Sequence, residues 1–114
     1  MTRIILSGCC GKMGRNVVSV VNARKDCEIV AGIDIVHDST LGFPVFQNYS
    51  EVDVVADVII DFSNPALLSD MLDFAIKTNT AVVLATTGLT DEQIKEVEEA
   101  SNKIAVFLNK FPII

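Results

Sequence analysis

Near the start of the chain, Gly8-Cys9-Cys10-Gly11-Lys12-Met13-Gly14 brings together three glycines, two thiols and a lysine. These residues follow the apolar run Ile4-Ile5-Leu6 and lead into the helical spacing Val17, Val18, Val20, Val21. Strand, glycine turn and helix in that order make a phosphate cradle. Glycines let the backbone approach a diphosphate closely, and the helix N-terminus takes its charge. Asp34 stands twenty residues beyond Gly14, at the end of a second apolar run, Ile29-Val30-Ala31-Gly32-Ile33. A dinucleotide fingerprint places a carboxylate there to bind the ribose hydroxyls. Glycines also end strands in proteins without a ligand, and an Asp after a strand is often a solvated turn residue. The combination is what points to a dinucleotide.

In an open parallel sheet the ligand crevice lies beyond the carboxyl ends of the strands. Asp61-Phe62-Ser63-Asn64-Pro65 and Ala85-Thr86-Thr87-Gly88 are therefore the next candidates. Thr86 and Thr87 offer hydroxyls and backbone groups to a nicotinamide carboxamide or to a substrate beside it, or else form a plain strand-to-helix turn. Phe62 is either an apolar wall along the cofactor or a core residue. His37, the only histidine, has no partners at ligand spacing and reads as an exposed loop residue. Cys9, Cys10 and Cys27 make neither a disulfide framework nor a zinc set of spaced ligand pairs, so no metal site is expected. Cys9 and Cys10 read as small side chains filling a tight turn. Cys10, close to a helix start, is the candidate for a redox role.

The elements that must position these groups alternate along the chain. Strands are expected at Arg3 to Ser7, Glu28 to Asp34, Val58 to Asp61, Ala81 to Ala85 and Ile104 to Leu108. The first helix is expected from Lys12 to Ala23, burying Val17, Val20, Val21 and Met13. A second starts at Pro65 behind the caps Ser63 or Asn64, with a stripe of Leu67, Leu68, Met71, Leu72, Ala75 and Ile76. The third opens with the capping-box pattern Thr90-Asp91-Glu92-Gln93 and buries Ile94, Val97 and Ala100 or Ser101. Its Glu96, Glu98 and Glu99 form a solvated face. Between the second and third strands, His37 to Asp57 is irregular, with a short extended piece at Val45 to Gln47 and a helical turn after Ser50. The pattern predicts a single α/β domain, a Rossmann-like doubly wound parallel sheet of about five strands.

Half of the 114 residues are apolar, enough for one domain with one core. Nine basic residues against fifteen acidic give a net charge of −6, and Arg24-Lys25 is the only adjacent basic pair. Nucleic acid is excluded as a partner on that ground, since duplex binding relies on grouped cations. No apolar run spans a bilayer or makes a secretory signal, so a cytoplasmic location with no membrane partner is expected.

Gly8-Cys9-Cys10-Gly11-Lys12-Met13-Gly14, Gly32-Ile33-Asp34, Val58-Ile59-Ile60-Asp61-Phe62-Ser63-Asn64-Pro65 and Ala85-Thr86-Thr87-Gly88-Leu89 together resemble the N-terminal half of dihydrodipicolinate reductases, in the family's order from Thr2 to Leu108. The resemblance implies an oxidoreductase of lysine and diaminopimelate biosynthesis that passes a hydride from NADH or NADPH to a cyclic dicarboxylic imine. It also implies cofactor contacts at Gly8, Cys9, Cys10, Gly11, Lys12, Met13, Asp34, Ala85, Thr86 and Thr87. Phe62 joins them as the apolar wall named above. Family members that favour NADPH carry a basic residue after the acidic position. Ile35 stands there in this chain, and Asp34 would repel a ribose phosphate, so NADH is expected to be favoured over NADPH.

Two departures from the family pattern stand out. Ala85 puts a methyl group where the family has glycine, and the chain ends Asn109-Lys110-Phe111-Pro112-Ile113-Ile114 in place of the family's cofactor loop and second domain. Residues 1–108 are thus expected to be a dinucleotide-binding domain and 109–114 a divergent tail. No proton donor or substrate clamp is identified, so no catalytic residue is expected in this chain, which would bind NADH without turnover alone. Self-association through the apolar C-terminal edge is a further expectation. The alternative is a free-standing nucleotide-binding or interaction module. A domain of another two-domain reductase is disfavoured by the Ala85 to Gly88 block.

Overall fold

The computed structural model describes residues 1–36, 38–86 and 88–108. His37, Thr87 and the tail Asn109 to Ile114 lie outside the described residues. Strands β1 (Thr2–Ser7), β2 (Cys27–Ile33), β3 (Val45–Phe46), β4 (Val58–Asp61), β5 (Ala81–Leu84) and β6 (Val106–Leu108) form one sheet. Every pairing is parallel, in the order β3-β2-β1-β4-β5-β6. Helices α1 (Lys12–Asn22), α2 (Leu68–Thr78) and α3 (Asp91–Ala100) supply the crossovers β1 to β2, β4 to β5 and β5 to β6. The strand order reverses at β1, which leaves a crevice between the ends of β1 and β4.

Successive strand residues face opposite sides of a sheet, and each side here has its own core. Ile5, Ile33, Ile59, Val82 and Leu84 pack with Leu68, Met71, Leu72 and Ala75 of α2 and with Val97 and Ala100 of α3. Leu6 and Cys9 pack with Val18 of α1, against Ile29, Ile60 and Phe62. Strands buried on both faces read as continuous apolar runs, as Ile4-Ile5-Leu6 and Val58-Ile59-Ile60 do. Full burial of one such side chain contributes about 1.5–3 kcal/mol before its entropy cost.

Several expectations are corrected. The sheet has six strands, because the short extended piece at Val45–Phe46 pairs with Gly32 and Ile33. The helical turn in that stretch is Tyr49–Glu51, starting before Ser50. The last strand begins at Val106, since the Ile104 N–H still bonds the Ala100 carbonyl at the end of α3. Along α1, Gly14, Val18 and Val21 are buried whereas Val20 is 61% and Met13 41% exposed. A Cβ at Gly14 would meet the Gly8 carbonyl oxygen at 2.0 Å. That backbone contact sets the rotation of α1 and turns Val20 to solvent. Helix α2 is entered through a 3-10 turn, Pro65–Leu67, capped by Asn64, whose side chain accepts the Ala66 N–H at 2.9 Å. The capping box at Thr90 forms with both bonds present.

Candidate functional site

Strand register builds the site. Ser7 pairs with Ile33 on one side and Asp61 on the other, and Asp61 pairs with Leu84. The next residue on each strand is Asp34, Gly8, Phe62 or Ala85, so four residues from distant parts of the sequence form one row along the carboxyl edge. The row is hydrogen bonded across itself. Gly8 N–H donates to the Ile33 carbonyl at 2.7 Å, Phe62 N–H to Ser7 at 2.9 Å and Ala85 N–H to Asp61 at 3.0 Å.

At the centre of the row the chain turns through Gly8, whose φ of +80° belongs to the left-handed region. A side chain there would also come within 2.9 Å of the Phe62 carbonyl group. Gly11 donates to the Gly8 carbonyl at 3.1 Å and receives the Arg15 N–H at 2.9 Å. No side chain caps α1, and among the described residues nothing accepts the N–H groups of Lys12, Met13 and Gly14. Helix starts are normally satisfied by a cap. One left open behind a glycine turn presents N–H donors and the positive end of the helix dipole to an anion. Lys12, exposed at this helix start, adds a full positive charge.

Asp34 lies beside the same turn. Its Oδ2 accepts the Cys10 N–H at 2.9 Å and its Oδ1 the Val36 N–H at 3.0 Å. A carboxylate has about four acceptor positions, so this one is oriented by the loop and keeps capacity for hydroxyl donors. Arg15 braces the turn from outside, with Nε donating to the Cys10 carbonyl at 3.0 Å and its guanidinium 3.1 Å from Asp38. Sequence reasoning did not identify Arg15; one turn into the helix, it carried no distinguishing signal. Cys9 is fully buried, and its sulfur lies where a Cβ on Gly32 would approach to 2.6 Å. Burial, then Cys10 and Asp34, push the Cys9 thiol up to about 12, which makes it unreactive as a nucleophile. The Cys9 and Cys10 sulfurs are 3.8 Å apart.

On the other side of the crevice, Asp61 is 2% exposed. Its Oδ2 accepts the Thr86 hydroxyl at 2.9 Å, and its Oδ1 accepts both the N–H and the hydroxyl of Ser63. The Thr86 hydroxyl is thus committed inward to a carboxylate. Phe62 is half-buried and packs with Leu6, Cys9 and Val18. Asp61 was legible only as part of a strand-end segment, although an Asp followed two residues on by Ser is a signal for a local side-chain turn. Below the row, the Ser7 and Tyr49 hydroxyls are buried without hydrogen-bond partners among the described residues. Burial raises the pKa of the Tyr49 phenol.

A parallel sheet in this order, a glycine turn opening the first helix and an acid at the end of the second strand define a Rossmann-like domain of the kind that holds a nucleotide at its switch point. The family model described as dihydrodipicolinate reductase, N-terminus, matches residues 2–110, and the chain belongs to that family. A 4-hydroxy-tetrahydrodipicolinate reductase of Clostridium novyi is 46% identical over 107 residues, and one of Caldanaerobacter subterraneus is 43% identical over the same length. Each alignment covers 94% of this chain and 42% of the relative, so the chain spans less than half the length of these proteins. Among solved structures, a dipicolinate-bound dihydrodipicolinate reductase from Paenisporosarcina sp. TG-14 superposes with a TM-score of 0.79 at 27% identity, covering 96% of this chain and 47% of that one. A Synechocystis biliverdin reductase in complex with biliverdin and NADP+ shares the fold, with a TM-score of 0.78 at 15% identity over 95% of this chain and 37% of its own. No helix among the described residues is long and apolar enough to cross a membrane.

Proposed function

We propose that this chain is the dinucleotide-binding part of a 4-hydroxy-tetrahydrodipicolinate reductase. It would hold NADH, or NADPH less tightly, for hydride transfer to a cyclic dicarboxylic imine in lysine and diaminopimelate biosynthesis. The observation that carries the reading is the uncapped start of α1, bracketed by Gly8 and Gly14, with the Asp34 carboxylate hydrogen bonded to the same turn. The pyrophosphate would lie on the N–H groups of Lys12 and Met13, the ribose hydroxyls on Asp34, and the nicotinamide against Ala85, Thr86 and Thr87, with Phe62 as the apolar floor between them. When bound, the cofactor supplies the hydride. The chain's own residues bind it, orient it and exclude water from its inner face.

NADH preference follows from charge. An ionised Asp34 repels a 2′-phosphate, and Ile35, 82% exposed beside it, offers no compensating cation. Hydride transfer also needs the acceptor held near contact distance and its nitrogen protonated. No residue placed along this crevice is assigned either task, so the reading gives these residues the binding of the cofactor. The reading places the domain in the cytoplasm. The edge strand β6, with Phe107 65% exposed, is its surface for association with a second copy.

Calorimetric titration with NADH and NADPH, on the chain and on Asp34→Ala, tests this. Loss of hydrogen bonds to a charged group worth about 1.5–3 kcal/mol should weaken NADH by roughly ten- to a hundredfold. NADPH should weaken less. Equal affinity of both dinucleotides for the parent chain would remove the stated preference, and no binding of either would remove the function.

A further inference from the structure

Three groups that can ligate a soft metal converge beside the glycine turn. The sulfurs of Cys9 and Cys10 and a carboxylate oxygen of Asp34 all lie within 4.8 Å of one another. Adjacent cysteines alone lack the spaced pairs of a zinc set, but the fold brings Asp34 to them from the end of β2. We propose that Cys9, Cys10 and Asp34 form a site for a thiophilic divalent cation of the zinc and cadmium class, and that its occupation excludes the dinucleotide.

The distances suit that class of ion. Zinc-to-sulfur bonds of about 2.3 Å at a tetrahedral centre place two sulfurs ~3.8 Å apart, and Cys9 and Cys10 stand 3.8 Å apart already. Two sulfurs favour zinc or cadmium over magnesium or calcium, which take oxygen ligands. The site is held from behind. Cys9 is wedged against Gly32 and Phe43, and Asp34 receives the Cys10 and Val36 N–H groups, the kind of outer hydrogen bond that orients a metal-ligating carboxylate. Cys10 and Asp34 are half-buried, so an ion enters from their side and water completes its coordination. Coordination releases the Cys9 and Cys10 thiol protons to solvent, the charge of the ion offsetting the burial that keeps Cys9 protonated without it. Cys10 gives up its S–H contacts with the Val36 carbonyl at 3.5 Å and with the Cys9 sulfur at 3.8 Å. Exclusion of the dinucleotide rests on the preceding assignment of Asp34 to the ribose: with two N–H groups already accepted, the carboxylate has about two acceptor positions left, too few for an ion and both ribose hydroxyls together.

The test uses the full chain, reduced and without oxygen, titrated with cadmium and followed by thiolate-to-cadmium charge-transfer absorption. One cadmium per chain is expected, with affinity kept in Cys27→Ser and lowered by about tenfold or more in Cys10→Ser and in Asp34→Asn. Circular dichroism checks that the variants fold; both altered side chains are half-buried, which spares the core. Calorimetry then measures NADH affinity with and without cadmium, expected to fall by about tenfold or more and to return on chelation. Unchanged cadmium affinity in Cys10→Ser and Asp34→Asn would overturn the site. Cadmium binding at these residues with NADH affinity unaltered would overturn the exclusion. Failure of the metal-free chain to bind NADH, with the cadmium site intact, would instead remove the dinucleotide reading and support the metal site alone.

Discussion

The Thr86 hydroxyl donates to Asp61 Oδ2 at 2.9 Å across 25 residues of sequence, and both residues are buried. With Ser63 on the other carboxylate oxygen, this bond ties the segment after β5 to the segment after β4. The nicotinamide end of the proposed crevice is therefore held by a polar clasp beneath it.

Thr86→Val should destabilise the chain by about 1–3 kcal/mol, because a buried carboxylate loses one of its donors. Thr86→Ser keeps the hydroxyl and should recover most of that loss. Urea unfolding midpoints compare the three proteins. Equal midpoints for the valine and serine variants would show that the clasp adds nothing to stability.

Glycine substitutions in the turn should separate sharply. A Cβ on Gly14 would meet the Gly8 carbonyl oxygen at 2.0 Å, whereas one on Gly11 meets its nearest neighbour, the same oxygen, at 3.4 Å. Gly14→Ala should push α1 off the sheet and cost about 1–3 kcal/mol or more. Gly11→Ala should change stability far less. Similar thermal midpoints for the two variants would contradict the packing described.

Alkali should weaken the fold in part through Cys9. Its thiol, ordinarily near 9, is pushed up to about 12 by burial first, then by Cys10 and Asp34. Below pH 9 the folded and unfolded chains both keep this proton. From there towards 12 the unfolded chain loses the proton while the folded chain retains it, so stability falls as pH rises. Cys9→Ala should make the decline shallower, and the raised Tyr49 phenol should account for part of the remainder. Unfolding measured under reductant at about pH 8 and about pH 10 checks this; parallel declines in the two proteins would rule out the assignment.

Helix α3 offers a local control. Thr90 accepts the Gln93 N–H at 3.2 Å, and Gln93 accepts the Thr90 N–H at 2.9 Å. Thr90→Ala should cost about 0.5–2 kcal/mol and leave dinucleotide affinity unaltered. A change in affinity as large as that of Asp34→Ala would mean that α3 communicates with the crevice.

Features set by neighbours in the chain were legible in the sequence. The glycine turn, the capping box at Thr90, the Asn64 cap ahead of Pro65 and the apolar runs of β1 and β4 each depend on residues a few positions apart, so their physics is written locally. Features set by distance were not. Val45–Phe46 has too few residues to mark itself as a strand, and only its pairing with Gly32 and Ile33 makes it one. Helix α1 is apolar at Val17, Val18, Val20 and Val21, a pattern that fits more than one rotation. The close approach of Gly14 to Gly8 selects the rotation that exposes Val20. The Asp61 clasp and the meeting of Asp34 with Cys9 and Cys10 arise because parallel strands align their carboxyl ends, which places residues 24 or 25 positions apart within hydrogen-bond reach. Composition and spacing alone determined that this chain is an α/β domain with a glycine turn opening its first helix. Which side chains face that turn was decided by strand register, a property of the folded sheet.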